Sequence, residues 1–139
     1  MADGALDLEA RDVDDLFETA ALALVDLMVD PSTATVDLER VVTLDATELD
    51  LLLYDWLSEL IFLKDRDRQV FTRCTVHVSR AAPYLLRAQL RGGAIESGRT
   101  VLRADVKAVT LHQFTVEADR RWLPRSRRDR HVNEVDVQP

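Results

Sequence analysis

Apolar positions along this chain recur first with a helical period and later with an alternating one. Leu16, Ala20, Leu24 and Leu27 follow one another at steps of three and four, which places them on one stripe of an amphipathic helix. Asp12 precedes that helix as a cap before Val13, and Asp14 and Asp15 stand where the helix dipole favours negative charge. The helix is expected to end near Asp30-Pro31, because the residue before a proline resists the helical conformation. Leu49, Leu52, Leu53, Trp56, Leu57 and Leu60 predict a second helix, capped by Asp45 or Thr47 and ending in the charged run Lys64-Asp65-Arg66-Asp67-Arg68.

The remaining segments read as strands. Val36 to Leu44 is rich in β-branched residues, and Val70, Thr72, Cys74, Val76 and Val78 alternate with Phe71, Arg73, Thr75 and His77. Leu85 to Leu90 predicts a shorter strand that stops at Gly92-Gly93, a turn signal. Val106 to Val116 is a further β-branched stretch, and Val132 to Val137 can form a short closing strand. The expected fold class is α+β, a two-layer sandwich of an antiparallel or mixed β-sheet carrying two long amphipathic helices on one side. Residues 1–139 read as a single domain. Within it, 119–131 gathers Arg120, Arg121, Arg125, Arg127, Arg128 and Arg130, either a solvated loop or a basic handle for RNA or an acidic partner.

Composition narrows the function. Lys plus Arg total 18 against 25 Asp plus Glu, a net charge of −7, which disfavours autonomous binding to phosphate backbones and suits a cation or a basic partner. Only Lys64 and Lys107 among the basic residues are lysines. The single Cys74 forms no internal disulfide, so a reducing cytoplasm is expected. Neither a membrane span nor a secretory signal is expected from the hydropathy pattern. Phosphate-binding glycine loops, a GxSxG elbow, HExxH and CxxC are all missing, so general motifs stop at an acidic α+β domain.

Three blocks go further. Asp15-Leu16-Phe17-Glu18-Thr19-Ala20-Ala21-Leu22-Ala23-Leu24, continuing through Asp26-Leu27-Met28 to Asp30-Pro31, resembles the archease pattern EELFENAALALFDLMTDP. Asp55-Trp56-Leu57-Ser58-Glu59-Leu60-Ile61-Phe62-Leu63 resembles that family's DWLNELLFL, and Asp105-Val106-Lys107-Ala108-Val109-Thr110-Leu111-His112 resembles its EVKAVTYH. The blocks occur in the family's order and at comparable spacing.

The resemblance implies a site. Ala2-Asp3 falls on the family's HTAD motif, whose aspartate is a metal ligand, with the family's first strand and its histidine then lying before Met1. Archeases close with an aspartate and one aliphatic residue, which Asp136-Val137 matches, with Asp129 as a fallback. Asp3, Asp136 and the carbonyl of Val137 are thus the implied ligands of a divalent ion, Ca²⁺ first and Mg²⁺ or Mn²⁺ as alternatives, since hard cations take oxygen donors. Lys107 is the implied functional lysine, and Asp105, two positions earlier, is expected on the same strand face as its partner.

The function that the resemblance implies is that of an accessory protein with no turnover of its own. It would activate the RtcB-type RNA ligase of tRNA splicing and RNA repair, promoting guanylylation and multiple turnover and meeting RNA only through the ligase. Two other classes stand beside it: a chaperone-like module for RNA-modifying enzymes such as methyltransferases, and a metal-dependent phosphohydrolase, which lacks a credible general base.

Overall fold

The computed structural model describes residues 4–6, 10–112 and 134–138. Among them the order is β1 (Gly4–Leu6), α1 (Val13–Met28), β2 (Leu38–Ala46), α2 (Leu49–Asp67), β3 (Gln69–Val78), β4 (Tyr84–Ala94), β5 (Ala108–His112) and β6 (Glu134–Gln138). The strands form two antiparallel three-stranded sheets, β2-β4-β3 and β1-β6-β5. This is the expected α+β sandwich, with its strands divided between two sheets.

The core lies between the helices and the strands. Leu16, Phe17, Ala20 and Leu24 of α1 are fully enclosed, as are Leu52, Leu53, Trp56 and Leu57 of α2. They meet alternate residues of the larger sheet, including Val42, Val76, Leu86, Ala88 and Leu90, while Val41, Leu85 and His77 face outward. Val106 and Val109 bring β5 and its approach into the same core.

Local chemistry explains the boundaries. Asp12 caps α1 as predicted, its side chain accepting from the Asp15 N–H at 2.8 Å. The helix ends at Met28, and Asp30 then caps a single 3-10 turn at Pro31–Thr33. For α2 the predicted cap was Asp45 or Thr47; the N-cap is Glu48, without a side-chain hydrogen bond. Asp45 is instead held inside β2, opposite Leu85. At its other end α2 stops on Arg68 in the left-handed conformation, φ 54, whose N–H bonds to the carbonyls of Leu63 and Lys64.

The turn expected at Gly92-Gly93 is absent, because β4 runs straight through both residues to Ala94. Their role is close approach: a Cβ on Gly92 would lie 2.0 Å from the Val70 carbonyl oxygen, and one on Gly93 would lie 1.8 Å from Thr35 Oγ1. β1 was not predicted, since three residues are too few to establish an alternating pattern. Of the stretch Val106 to Val116, Ala108–His112 is strand and 113–133 lies outside the described residues, as does the arginine-rich 119–131. No helix among the described residues is long and apolar enough to cross a membrane.

Candidate functional site

Helical phase carries Lys64 into the core. Leu53, Leu57, Leu60 and Lys64 follow at steps of four, three and four, so the lysine continues the buried stripe of α2. It is 6% exposed, the one buried charged residue among those described. A buried ammonium requires acceptors. Lys64 Nζ donates to the Val106 carbonyl at 2.9 Å and lies 3.3 Å from Asp105 Oδ1 and 3.2 Å from Asp65 Oδ1.

Lys107 approaches the same two carboxylates from the solvent side. Its Nζ stands 3.4 Å from Asp105 Oδ1 and 3.7 Å from Asp65 Oδ1, and its side chain is half exposed. The four groups therefore close a ring of alternating charge: Lys64, Asp65, Lys107, Asp105. Hydrogen bonding from Lys64, reinforced by Lys107, holds the Asp105 carboxyl below the usual carboxylate range.

The segment bearing Asp105 and Lys107 is anchored upstream as well. The Arg103 and Ala104 N–H groups donate to the carbonyls of Met28 and Leu27 at 2.8 and 2.9 Å, and Leu102 forms an isolated bridge with Val29. Asp105 and Lys107 were expected to share a strand face. Both instead precede β5, in a segment outside any strand that the buried Val106 pins, and they pair there across 3.4 Å.

Lys107 stands between two clefts of opposite character. One, of about 280 Å³, is bounded by Lys64, Asp65, Arg68, Arg103, Asp105 and Lys107, four cations against two carboxylates. The other, of about 510 Å³, runs along α2 past Asp55, Glu59, Phe62 and Asp65 and is acidic apart from Lys107. An anion entering the first cleft meets favourable charge despite the protein's net charge of −7.

The chain ends meet beside this site. In the smaller sheet Gly4 is opposite Val137, Ala5 is opposite Asp136, and β6 continues its pairing on the other side with Val109 opposite Val137 and Ala108 opposite Gln138. Lys107 is thus the residue before a strand whose first pair involves the penultimate residue of the chain. Asp3 and the fallback Asp129 lie outside the described residues. Asp136 and Val137 are placed by their backbone in the central strand. Val137 sits within a ladder on both sides, where a carbonyl already bonded to a neighbour retains a second lone pair for another partner. Among the described residues, no three His, Cys, Asp or Glu side chains converge as a metal-binding group.

Sequence reasoning missed Lys64, which it assigned to a terminal charged run. The available signal was its phase on the apolar stripe, together with the scarcity of lysine in a chain that otherwise uses arginine.

Comparison with known proteins bears on the family and the fold. The archease protein family (MTH1598/TM1083) matches residues 1–125. Protein archease of Archaeoglobus fulgidus is 33% identical over 116 residues, covering 84% of this chain and 83% of the relative. Protein archease of Methanothermobacter thermautotrophicus is 34% identical over 116 residues, covering 83% and 82% respectively. The solution structure of Methanobacterium thermoautotrophicum protein 1598 superposes with a TM-score of 0.70 at 27% identity, covering 99% of this chain and 89% of that one. With a family match across most of its length, relatives of one third identity and a shared three-dimensional fold, the chain belongs to the archease family.

Proposed function

We propose that this protein is a metal-binding accessory factor, without turnover of its own, that activates an RtcB-type RNA ligase in tRNA splicing and RNA repair in the cytoplasm. The observation that carries the reading is the pairing of Gly4 with Val137 in the sheet whose strand β5 begins immediately after Lys107. The residues next to Asp3 and Asp136 are thereby opposed, and Val137 also pairs with Val109, two positions beyond Lys107, whose ammonium has suitable charge for phosphate. Asp3, Asp136 and the Val137 carbonyl would hold the ion, and an all-oxygen donor set suits Ca²⁺, with Mg²⁺ or Mn²⁺ as alternatives. A bound divalent cation supplies positive charge beside a phosphate. Lys107 contributes an N–H donor from the positive cleft, while the anchored 101–106 segment limits its movement. RNA enters this scheme only through the ligase.

The test compares GTP-dependent RNA ligation at substrate excess with no addition, with the wild type, and with Asp3→Ala and Lys107→Ala. Multiple turnover should require the wild-type protein and fall sharply with either variant. Equal ligation in every arm rejects the assignment. Thermal unfolding with Ca²⁺, Mg²⁺ or Mn²⁺ provides a separate measure of ion binding: the cation should raise the midpoint of the wild type and not that of Asp3→Ala.

A further inference from the structure

The chain contains two lysines among 18 basic residues, and both reach the same two carboxylates. Arginine serves everywhere else, whether paired on the surface as in Arg103 with Asp26 or bridging elements as in Arg40 with Asp67. An ammonium is a compact charge with three donors and fits where a planar guanidinium fork does not. Lys64 uses three acceptors within a site that leaves its side chain 8% exposed.

The two lysines occupy unequal places. Lys64 is enclosed and also bonded to a backbone carbonyl, so it is fixed. Among the described residues Lys107 forms ion pairs with the two carboxylates alone, and these are 36% and 70% exposed, a setting in which each ion pair is weak. Without Lys64, Asp65 and Asp105 would depend on Lys107 as their nearby cation, and their combined negative charge would oppose an approaching anion. With Lys64 in place, both carboxylates retain a counter-charge when Lys107 leaves them.

We propose that Lys64 is a positioning residue for Lys107, pinning the backbone through the Val106 carbonyl and balancing Asp65 and Asp105 so that the Lys107 ammonium is free to bind a phosphate group. This rests on the reading above in assigning phosphate to Lys107. It adds a residue outside the implied ligand set and a division of labour between the two lysines. The phosphate enters by the positive cleft, with Arg68 and Arg103 on its rim. Lys107 exchanges two weak pairs for a charge-assisted bond to the anion, and Lys64 remains in place.

The test uses the full-length protein and inorganic pyrophosphate. Isotope-labelled lysine reports Lys64 and Lys107 alone, so a pyrophosphate titration can be followed at each side chain by NMR. In the wild type the Lys107 signal should move and the Lys64 signal should stay nearly still. Lys64→Met preserves most of the side-chain volume but withdraws the donor from the Val106 carbonyl, Asp65 and Asp105, so its fold is checked by circular dichroism before the titration. It should weaken the pyrophosphate response of Lys107 by roughly fivefold, the scale of one exposed ion pair. Adding Asp105→Asn to that variant should restore much of the response, because one uncompensated charge is gone; a purely structural role for Lys64 would show no such rescue.

Asp105→Asn alone affects a side chain that is 70% exposed and therefore folds regardless of how Lys64→Met behaves. It should tighten the Lys107 response. Unchanged pyrophosphate binding in Lys64→Met, or weaker binding in Asp105→Asn, overturns the proposal. The same variants in the ligation assay separate the two claims. A wild type that stimulates ligation while Lys64→Met is equally active defeats the positioning role, whereas a wild type that never stimulates defeats the ligase reading and leaves the pyrophosphate result to decide this one.

Discussion

The indole Nε1 of Trp56 donates to the Phe17 carbonyl at 3.0 Å, fastening α2 to α1 inside the core. Both side chains are fully enclosed. Phe17 lies within α1, so its carbonyl also belongs to the helical ladder, and the indole takes the second lone pair. Trp56→Phe removes this bond and part of the ring volume together. The expected cost is about 2–4 kcal/mol, the sum of a lost buried hydrogen bond and a partly filled cavity. Urea unfolding followed by far-ultraviolet circular dichroism measures it, and a midpoint equal to that of the wild type would show that the indole bond contributes nothing.

A second pair of contacts concerns the edge of the larger sheet. β3 has β4 on one side and, among the described residues, no strand on the other. There α1 supplies acceptors: Glu18 Oε2 takes the Val76 N–H at 2.9 Å and Asp14 Oδ1 takes the Val78 N–H at 2.8 Å. Unpaired edge amides invite pairing with another chain, and these carboxylates occupy them. Glu18→Ala should cost about 1–3 kcal/mol by leaving a strand amide without its acceptor. Glu18→Gln, which keeps an oxygen in reach, should cost less. Light scattering should show concentration-dependent association for the Asp14→Ala, Glu18→Ala double variant and not for the wild type.

The two glycines inside β4 call for different responses to the same substitution. On Gly92 an added methyl meets backbone, with Val70 O at 2.0 Å and Phe71 Cα at 2.5 Å, so relief requires the strands to separate. On Gly93 the obstacle is mainly the Thr35 side chain. Gly92→Ala should therefore destabilise by more than about 3 kcal/mol, at the upper end for overpacking. Gly93→Ala combined with Thr35→Ala, which removes the obstructing Oγ1, should recover part of the loss that Gly93→Ala causes alone. No equivalent rescue is available for Gly92. Thermal unfolding of the three variants checks the order.

These positions also show what the sequence disclosed and what it withheld. Both helices were legible because their apolar residues repeat at the period of the structure that buries them, and β3 was legible from its alternation. Gly92-Gly93 was misread because a glycine pair that permits close packing looks, in one dimension, like a pair that permits a turn. β1 is too short to carry a period. Lys64 opens the charged run that ends the second helix, and its charge conceals the burial until the helix phase is followed one turn further. The candidate ligands at the chain ends carried no signal of their own; resemblance nominated them, and their approach depends on strand pairing between residues more than 130 apart.

Cys74 provides a prediction about pH. Burial, reinforced by the Glu18 charge, pushes its thiol up to about 12. An unfolded cysteine loses its proton near pH 8.5. Between that value and about 12 the unfolded chain has released a proton that the folded chain still holds, so raising the pH favours unfolding through this window. Below pH 8 both forms carry the thiol proton and the group makes no pH-dependent contribution. The difference in stability between the wild type and Cys74→Ala isolates this effect from the titration of other groups. It should be constant from pH 6 to 8 and then shift steadily against the wild type as pH rises from about 9 to 11. Alkylation supplies the kinetic counterpart. At pH 8 iodoacetamide should modify native Cys74 far more slowly than the urea-unfolded chain, because the thiolate is the reactive form and the folded site suppresses it. Equal rates in the two states would mean that the thiol is neither enclosed nor perturbed.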